Sequence, residues 1–136
     1  MIHFFIIQNL NGKTIFSRWY NSYTVDKRKK VQEAIKERLS YLEKDDLSYF
    51  TLDENRVIFK KYPRMFFIAG VDFSENILMI LATLQLINES FGSNSREPTD
   101  VDVIYKNKKL IKLMDEIILG GEIIGTSIKN IRKGVM

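Results

Sequence analysis

Three carboxylate pairs invite a catalytic reading: Asp45-Asp46, Asp100 with Asp102, and Asp115-Glu116. Such pairs do acid–base work when their surroundings drive the two pKa values apart. None of these is accompanied by a histidine, a glycine-rich loop or a further set of ligands. The first falls in a polar connection. The other two fall at a helix start and on a helix face, so all three read as solvated carboxylates. The single histidine, His3, lies inside an apolar run, and the chain has no cysteine. One imidazole without thiolate partners does not build a usual zinc site, so His3 reads as structural. Gly12-Lys13-Thr14 looks like the end of a phosphate-binding loop. That motif needs a glycine five residues before Gly12, where Ile7 stands. Trp19, Tyr20 and Tyr62 do not form the aromatic signature of an RNA-binding sheet. The residues predict no catalytic group, no metal and no cofactor.

The remaining chemistry is positive charge. The net charge is +4, a modest excess that suits anionic lipid head groups or acidic peptides and is not by itself a nucleic-acid signature. Lys27-Arg28-Lys29-Lys30 is the densest basic run. It reads either as a solvated helix face or as a contact with an acidic membrane, at about 1 kcal/mol per cation near the bilayer. The start, Met-Ile-His-Phe-Phe-Ile-Ile, carries no basic leader, and no apolar run reaches the ~18 residues needed to span a bilayer. The expectation is a cytoplasmic protein of one domain, residues 1–136.

The elements that position these residues centre on Met65–Val71. This run is apolar at nearly every position, as in a strand covered on both faces. Val57–Phe59 precedes it, across a basic turn containing Pro63. Ile2–Gln8 and Lys13–Tyr20 read as a hairpin around Asn11-Gly12, since both of those residues tolerate positive φ. Tyr23–Leu42 reads as a helix capped by Thr24, with Val31, Ile35, Leu39 and Leu42 on one stripe. Tyr49–Leu52 is a short strand before an Asp53-Glu54-Asn55 turn. Ser74 is expected to cap a second helix ending near Phe91, with Glu75 in its first turn. That helix is apolar nearly all round, so its outer side needs either the later helices or another chain. Gly92–Pro98 is a loop. Thr99 or Asp100 caps a third helix, ended by Gly120-Gly121. Thr126 caps a short last helix bearing Ile128 and Ile131.

Several blocks of the sequence resemble the small (sigma) subunit of clathrin-associated adaptor protein complexes. They are Met1-Ile2, Gln8-Asn9, Gly12-Lys13-Thr14 and Trp19-Tyr20, then Lys60-Lys61-Tyr62-Pro63-Arg64-Met65-Phe66-Phe67 and Val71-Asp72. Leu113-Met114-Asp115-Glu116, Leu119-Gly120-Gly121-Glu122-Ile123 and Thr126-Ser127 follow in the same order. The resemblance covers essentially the whole chain. It implies an α+β, longin-like fold: a five-stranded antiparallel sheet flanked by helices, in the order β-β-α-β-β-β-α-α.

The resemblance also implies a non-catalytic subunit of a heterotetramer, packed on the trunk of a large subunit beside a second large and a medium subunit. Such a subunit stabilises the core and helps bind acidic dileucine signals in cargo cytoplasmic tails, linking them indirectly to clathrin. Its place is the cytoplasmic face of coated vesicles, Golgi or plasma membrane, without nucleic acid. The implied leucine pocket is Tyr62, Pro63, Met65, Phe67, Leu84, Val101 and Val103. Lys13, Arg18, Lys60 and Lys61 are the implied contacts with anionic surfaces. Where the family often has an arginine that binds the acidic residue of the signal, this chain has Ile15. Arg18 lies three positions further on, and strict alternation turns it to the opposite face. Pro63 stands where the family has alanine, and the helix before the Gly92–Pro98 loop is about one turn shorter. A subunit kept only as scaffold, the coatomer small subunit and a free-standing longin-type regulatory domain are the other readings.

Overall fold

The computed structural model describes residues 1–42, 48–92 and 99–124. Its main sheet has five strands: β1 (Ile2–Asn9), β2 (Thr14–Trp19), β3 (Tyr49–Leu52), β4 (Asn55–Lys61) and β5 (Met65–Val71). The order is β2-β1-β5-β4-β3 and every pair is antiparallel. Strand β5 is central and buried at all seven positions. Its alternate side chains feed two separate cores. Phe66 and Ile68 join Phe4, Ile6, Val57 and Phe59 under helix α1 (Val25–Ser40), which contributes Val31, Ile35 and Leu39. Met65, Phe67, Ala69 and Val71 join Phe5, Ile7 and Ile58 on the other face. That face is covered by α2 (Ile77–Phe91), α3 (Asp100–Tyr105) and α4 (Asn107–Ile117). A small hairpin, β6 (Ile118–Leu119) and β7 (Glu122–Ile123), completes the described chain.

The first hairpin turns as its Asn-Gly predicts. Gly12 has φ 87°, and the Asn9 side chain accepts hydrogen bonds from the backbone of Asn11 and Lys13. Thr24 caps α1, its hydroxyl accepting from Lys27 N at 3.2 Å. Three expectations from the sequence are corrected. The cap of α2 is Asn76, whose side chain accepts from Met79 N at 3.2 Å, while Ser74 sits in the preceding turn closed by Glu75 N on Asp72 O. An asparagine two residues nearer the apolar run provides the same short acceptor, and the helix starts where that acceptor meets free amides. We expect Asn76→Ala to lower stability by about 1 kcal/mol. Ser74→Ala should leave it within about 0.5 kcal/mol. Urea unfolding of the two variants separates the assignments.

The third helix is two helices. Thr99 and Asp102 form a reciprocal capping box at the start of α3, but Lys106 breaks the run with φ −111° and ψ 29°. Gly120-Gly121 does not stop a helix. Helix α4 ends at Ile117, and the two glycines, at φ 57° and 89°, turn the β6–β7 hairpin. Two consecutive positive-φ residues suit a tight hairpin as well as a helix stop. Tertiary pairing decides, because Gly121 O accepts from Ile2 N at the start of β1. The loop after Gly92, Asp45-Asp46 and the helix expected after Thr126 lie outside the described residues.

Helix α2 buries Ile80, Leu84, Leu86, Ile87 and Phe91, with α4 alongside, so the later helices cover much of its apolar girth. Its first turn remains bare: Leu78 is 76% exposed and Met79 51%.

Candidate functional site

Alternation in β5 sends Met65 and Phe67 to the α2–α4 face. There they meet Leu84 from α2 and Val103 from α3. All four are at most 1% exposed. Tyr62 closes the edge of this wall. Its ring stands edge-on to Phe67, centroids 5.3 Å apart and planes at 70°. Its backbone N–H donates to Met65 O at 2.8 Å, which folds Tyr62–Met65 into a turn with Pro63 and Arg64 exposed at its tip. Five of the seven sequence-predicted pocket residues therefore form one apolar cluster drawn from a turn, β5, α2 and α3. Pro63 flanks it from the turn. Val101 is 60% exposed on the outside of α3. Phe5, Ile7 and Phe16 also belong to this wall, and Phe5 lies edge-on to both Phe67 and Phe16. The sequence reading passed over them, although period-two alternation in β1 was the signal.

The cations around the wall differ in how they are engaged. Lys60 pairs with Phe67 across the strands, so it shares the wall's face. Its ammonium lies 6.0 Å from the Tyr62 ring centroid and donates to Gln85 Oε1 at 2.6 Å. Lys13, in the first turn, and Lys61, at the end of β4, are exposed. Arg18 requires a correction. Ile7 pairs with Phe16 and Gln8 with Thr14, so Ile15 is the extra residue of a bulge. A bulge resets alternation. Ile15 packs on the α2–α4 core, and Arg18, opposite Phe5, faces the same side rather than the opposite one. Arg18 is engaged there by α4. It donates to Ile111 O at 3.3 Å, lies 2.5 Å from Asp115 Oδ1, and covers the Tyr20 ring. Burial pushes the Tyr20 hydroxyl above its usual pKa.

The Lys27–Lys30 run is also divided by the fold. Lys27 pairs with Asp53 at 2.8 Å and Arg28 stacks over Trp19, leaving Lys29 and Lys30 exposed. His3 occupies a bulge between Ile2 and Phe4, with Nε2 2.5 Å from Asp72 Oδ1. That hydrogen bond, with a second from the Met1 amino group, holds the Asp72 carboxyl below its usual range. Among the described residues no group of three or more His, Cys, Asp or Glu side chains is placed to hold a metal ion. None of the described helices is long and apolar enough to cross a membrane.

Comparison with known proteins accords with this geometry. Residues 1–136 match the family described as clathrin adaptor complex small chain. The chain is 28% identical to the AP-2 complex subunit sigma of Dictyostelium discoideum, over 93% of this chain and 89% of that protein. It is 30% identical to the AP-2 complex subunit sigma of Neurospora crassa, over 93% and 90%. With the mouse AP-1 complex subunit sigma-3 it shares 27% identity over 99% and 88%. Among solved structures it superposes on a chain of a homology model of the full-length AP-3 complex in a stretched open conformation. The TM-score is 0.77 at 25% identity, covering 99% of this chain and 91% of that one. These relatives are named as adaptor subunits and none as an enzyme, in line with the non-catalytic reading of the sequence. The fold is the longin-like α+β sheet that the resemblance implied, and the chain belongs to the family of clathrin adaptor complex small (sigma) chains.

Proposed function

We propose that this chain acts as one domain, the small subunit of a four-chain adaptor at the cytoplasmic face of coated vesicles. There it helps capture acidic dileucine signals in cargo tails. One observation carries the reading: Tyr62, Met65, Phe67, Leu84 and Val103 converge from four separate segments into a single apolar wall with the Lys60 ammonium at its rim. A pair of leucines fits the apolar wall, and a preceding carboxylate fits the cation. Since Met65, Phe67, Leu84 and Val103 are closed on one another, leucine entry requires side chains of this wall to part. The bare apolar side chains at one end of the sheet, Phe73, Leu78, Met79 and Leu119, suit the trunk of a large subunit.

The test is co-expression with a large-subunit trunk, then calorimetric titration with an acidic dileucine peptide and its double-alanine control. Each buried leucine contributes about 1.5–3 kcal/mol, so the control should bind at least about a hundredfold more weakly. Equal affinity for the two peptides would leave a scaffold subunit without cargo reading. A chain that stays monomeric in the presence of the trunk would remove the adaptor role itself.

A further inference from the structure

The strand register brings two turns to one end of the sheet. Asn9 of β1 pairs with Met65 of β5, and Lys61 of β4 pairs with Phe66. The Leu10–Lys13 and Tyr62–Arg64 turns are therefore neighbours. The end of α1 joins them: Lys36, Leu39 and Ser40 line a cavity of about 80 Å³ with Gln8–Gly12 and Phe66, and the Lys36 stem lies against Gly12. Among the described residues, cations predominate here. Lys13, Lys36, Lys61 and Arg64 have no ion-pair partner among the described residues, and Lys60 meets the neutral Gln85 amide and the Tyr62 ring. Glu33 and Glu37 of α1 share a groove with Lys36 and Ser40, and Glu89 of α2 accepts a hydrogen bond from Gln85. At the tip of the first turn Leu10 is 50% exposed, and Pro63 is exposed at the tip of the second. An apolar tip beside cations that lack an ion-pair partner among the described residues matches the two layers of an anionic bilayer surface, acyl boundary and head groups. The basic run of α1 lacks this arrangement, because Lys27 and Arg28 are held by Asp53 and Trp19.

We propose that this turn end is a membrane-contact surface, with Leu10 entering the head-group boundary and Lys13, Lys36, Lys61 and Arg64 meeting anionic lipid. It deepens the expected anionic contacts of Lys13, Lys60 and Lys61 and excludes Arg18, which Asp115 neutralises. The surface adjoins Tyr62, so it would hold the cargo wall against the membrane from which cargo tails emerge.

The test uses the chain assembled with its large-subunit trunk and measures flotation with phosphatidylcholine vesicles, with and without phosphatidylserine. The combined Lys13→Gln, Lys61→Gln and Arg64→Gln variant should partition about a hundredfold less onto the anionic vesicles, at about fivefold per cation. Leu10→Ser should cost about fivefold. A control with Lys29, Lys30 and Lys108 changed to Gln alters net charge equally and should change partitioning little. Raising ionic strength from about 0.1 M to about 0.5 M should abolish the difference. An equal loss in the control, or no loss in the turn variant, would overturn the proposal. Failure of the turn variant to assemble with the trunk would overturn it too, assigning this end to a protein partner. Dileucine-peptide titration in vesicle-free solution reads the cargo function separately, so either can fail alone.

Discussion

Gly70→Ala is expected to destabilise the chain by about 3 kcal/mol or more, at the upper end of overpacking effects. Gly70 lies in the central strand directly opposite Phe4 of β1. A Cβ built there would lie 2.1 Å from Phe4 Cε2 and 2.2 Å from Cζ. The Phe4 ring cannot swing aside freely. It is 1% exposed, with Trp19 at 5.2 Å centroid separation. The backbone of Gly70 is not in the positive-φ region, so the cost is steric rather than conformational. The strain must therefore spread to β1, β5 or the aromatic layer under α1. Urea denaturation reads the loss. The double variant Gly70→Ala, Phe4→Leu should be less destabilised than the two single costs summed, because the smaller side chain vacates the space. Additive costs would mean that the ring is not what excludes the methyl.

Phe67→Ala is expected to lower stability by about 3–5 kcal/mol. Phe67 is fully buried and meets Phe5 and Tyr62 edge-on, at 5.8 and 5.3 Å. It stands where β5 meets α2 and α3, so neighbours from four segments lose contacts together. Rigid strands on both sides limit collapse of the cavity, which favours the higher part of the range. Chemical denaturation measures the change. A cost below about 1.5 kcal/mol, the value for a volume-conserving swap, would mean that the wall closes over the gap. The same variant links stability to the proposed cargo site. A deeper cavity behind Tyr62 should weaken dileucine-peptide binding even at temperatures where the assembly remains folded.

Both substitutions act on β5, and that strand was legible from the start. Seven buried positions in a row leave no face for solvent, so Met65–Val71 had to be an inner strand. The Asn11-Gly12 turn and the Thr24 cap were equally legible, because each depends on neighbours within four residues. Tyr62, Met65, Phe67, Leu84 and Val103 lie in one apolar cluster.

What the tertiary structure decided depends on partners distant in sequence. Gly120-Gly121 could end a helix or turn a hairpin, and the hydrogen bond from Ile2 N selected the hairpin. Asn76 and Ser74 are both competent caps, and the packing of α2 on the sheet set which one meets free amides. The face of Arg18 could not be counted along the strand, because a bulge at Ile15 arises only when β2 pairs with β1. The pairing of Arg18 with Asp115, and of Lys27 with Asp53, removes charges that the sequence alone displays as free. Local conformation and the alternation of apolar residues are short-range and could be read directly. Register, bulges and ion pairs join residues tens of positions apart, so their outcome is settled by which surfaces the chain buries together.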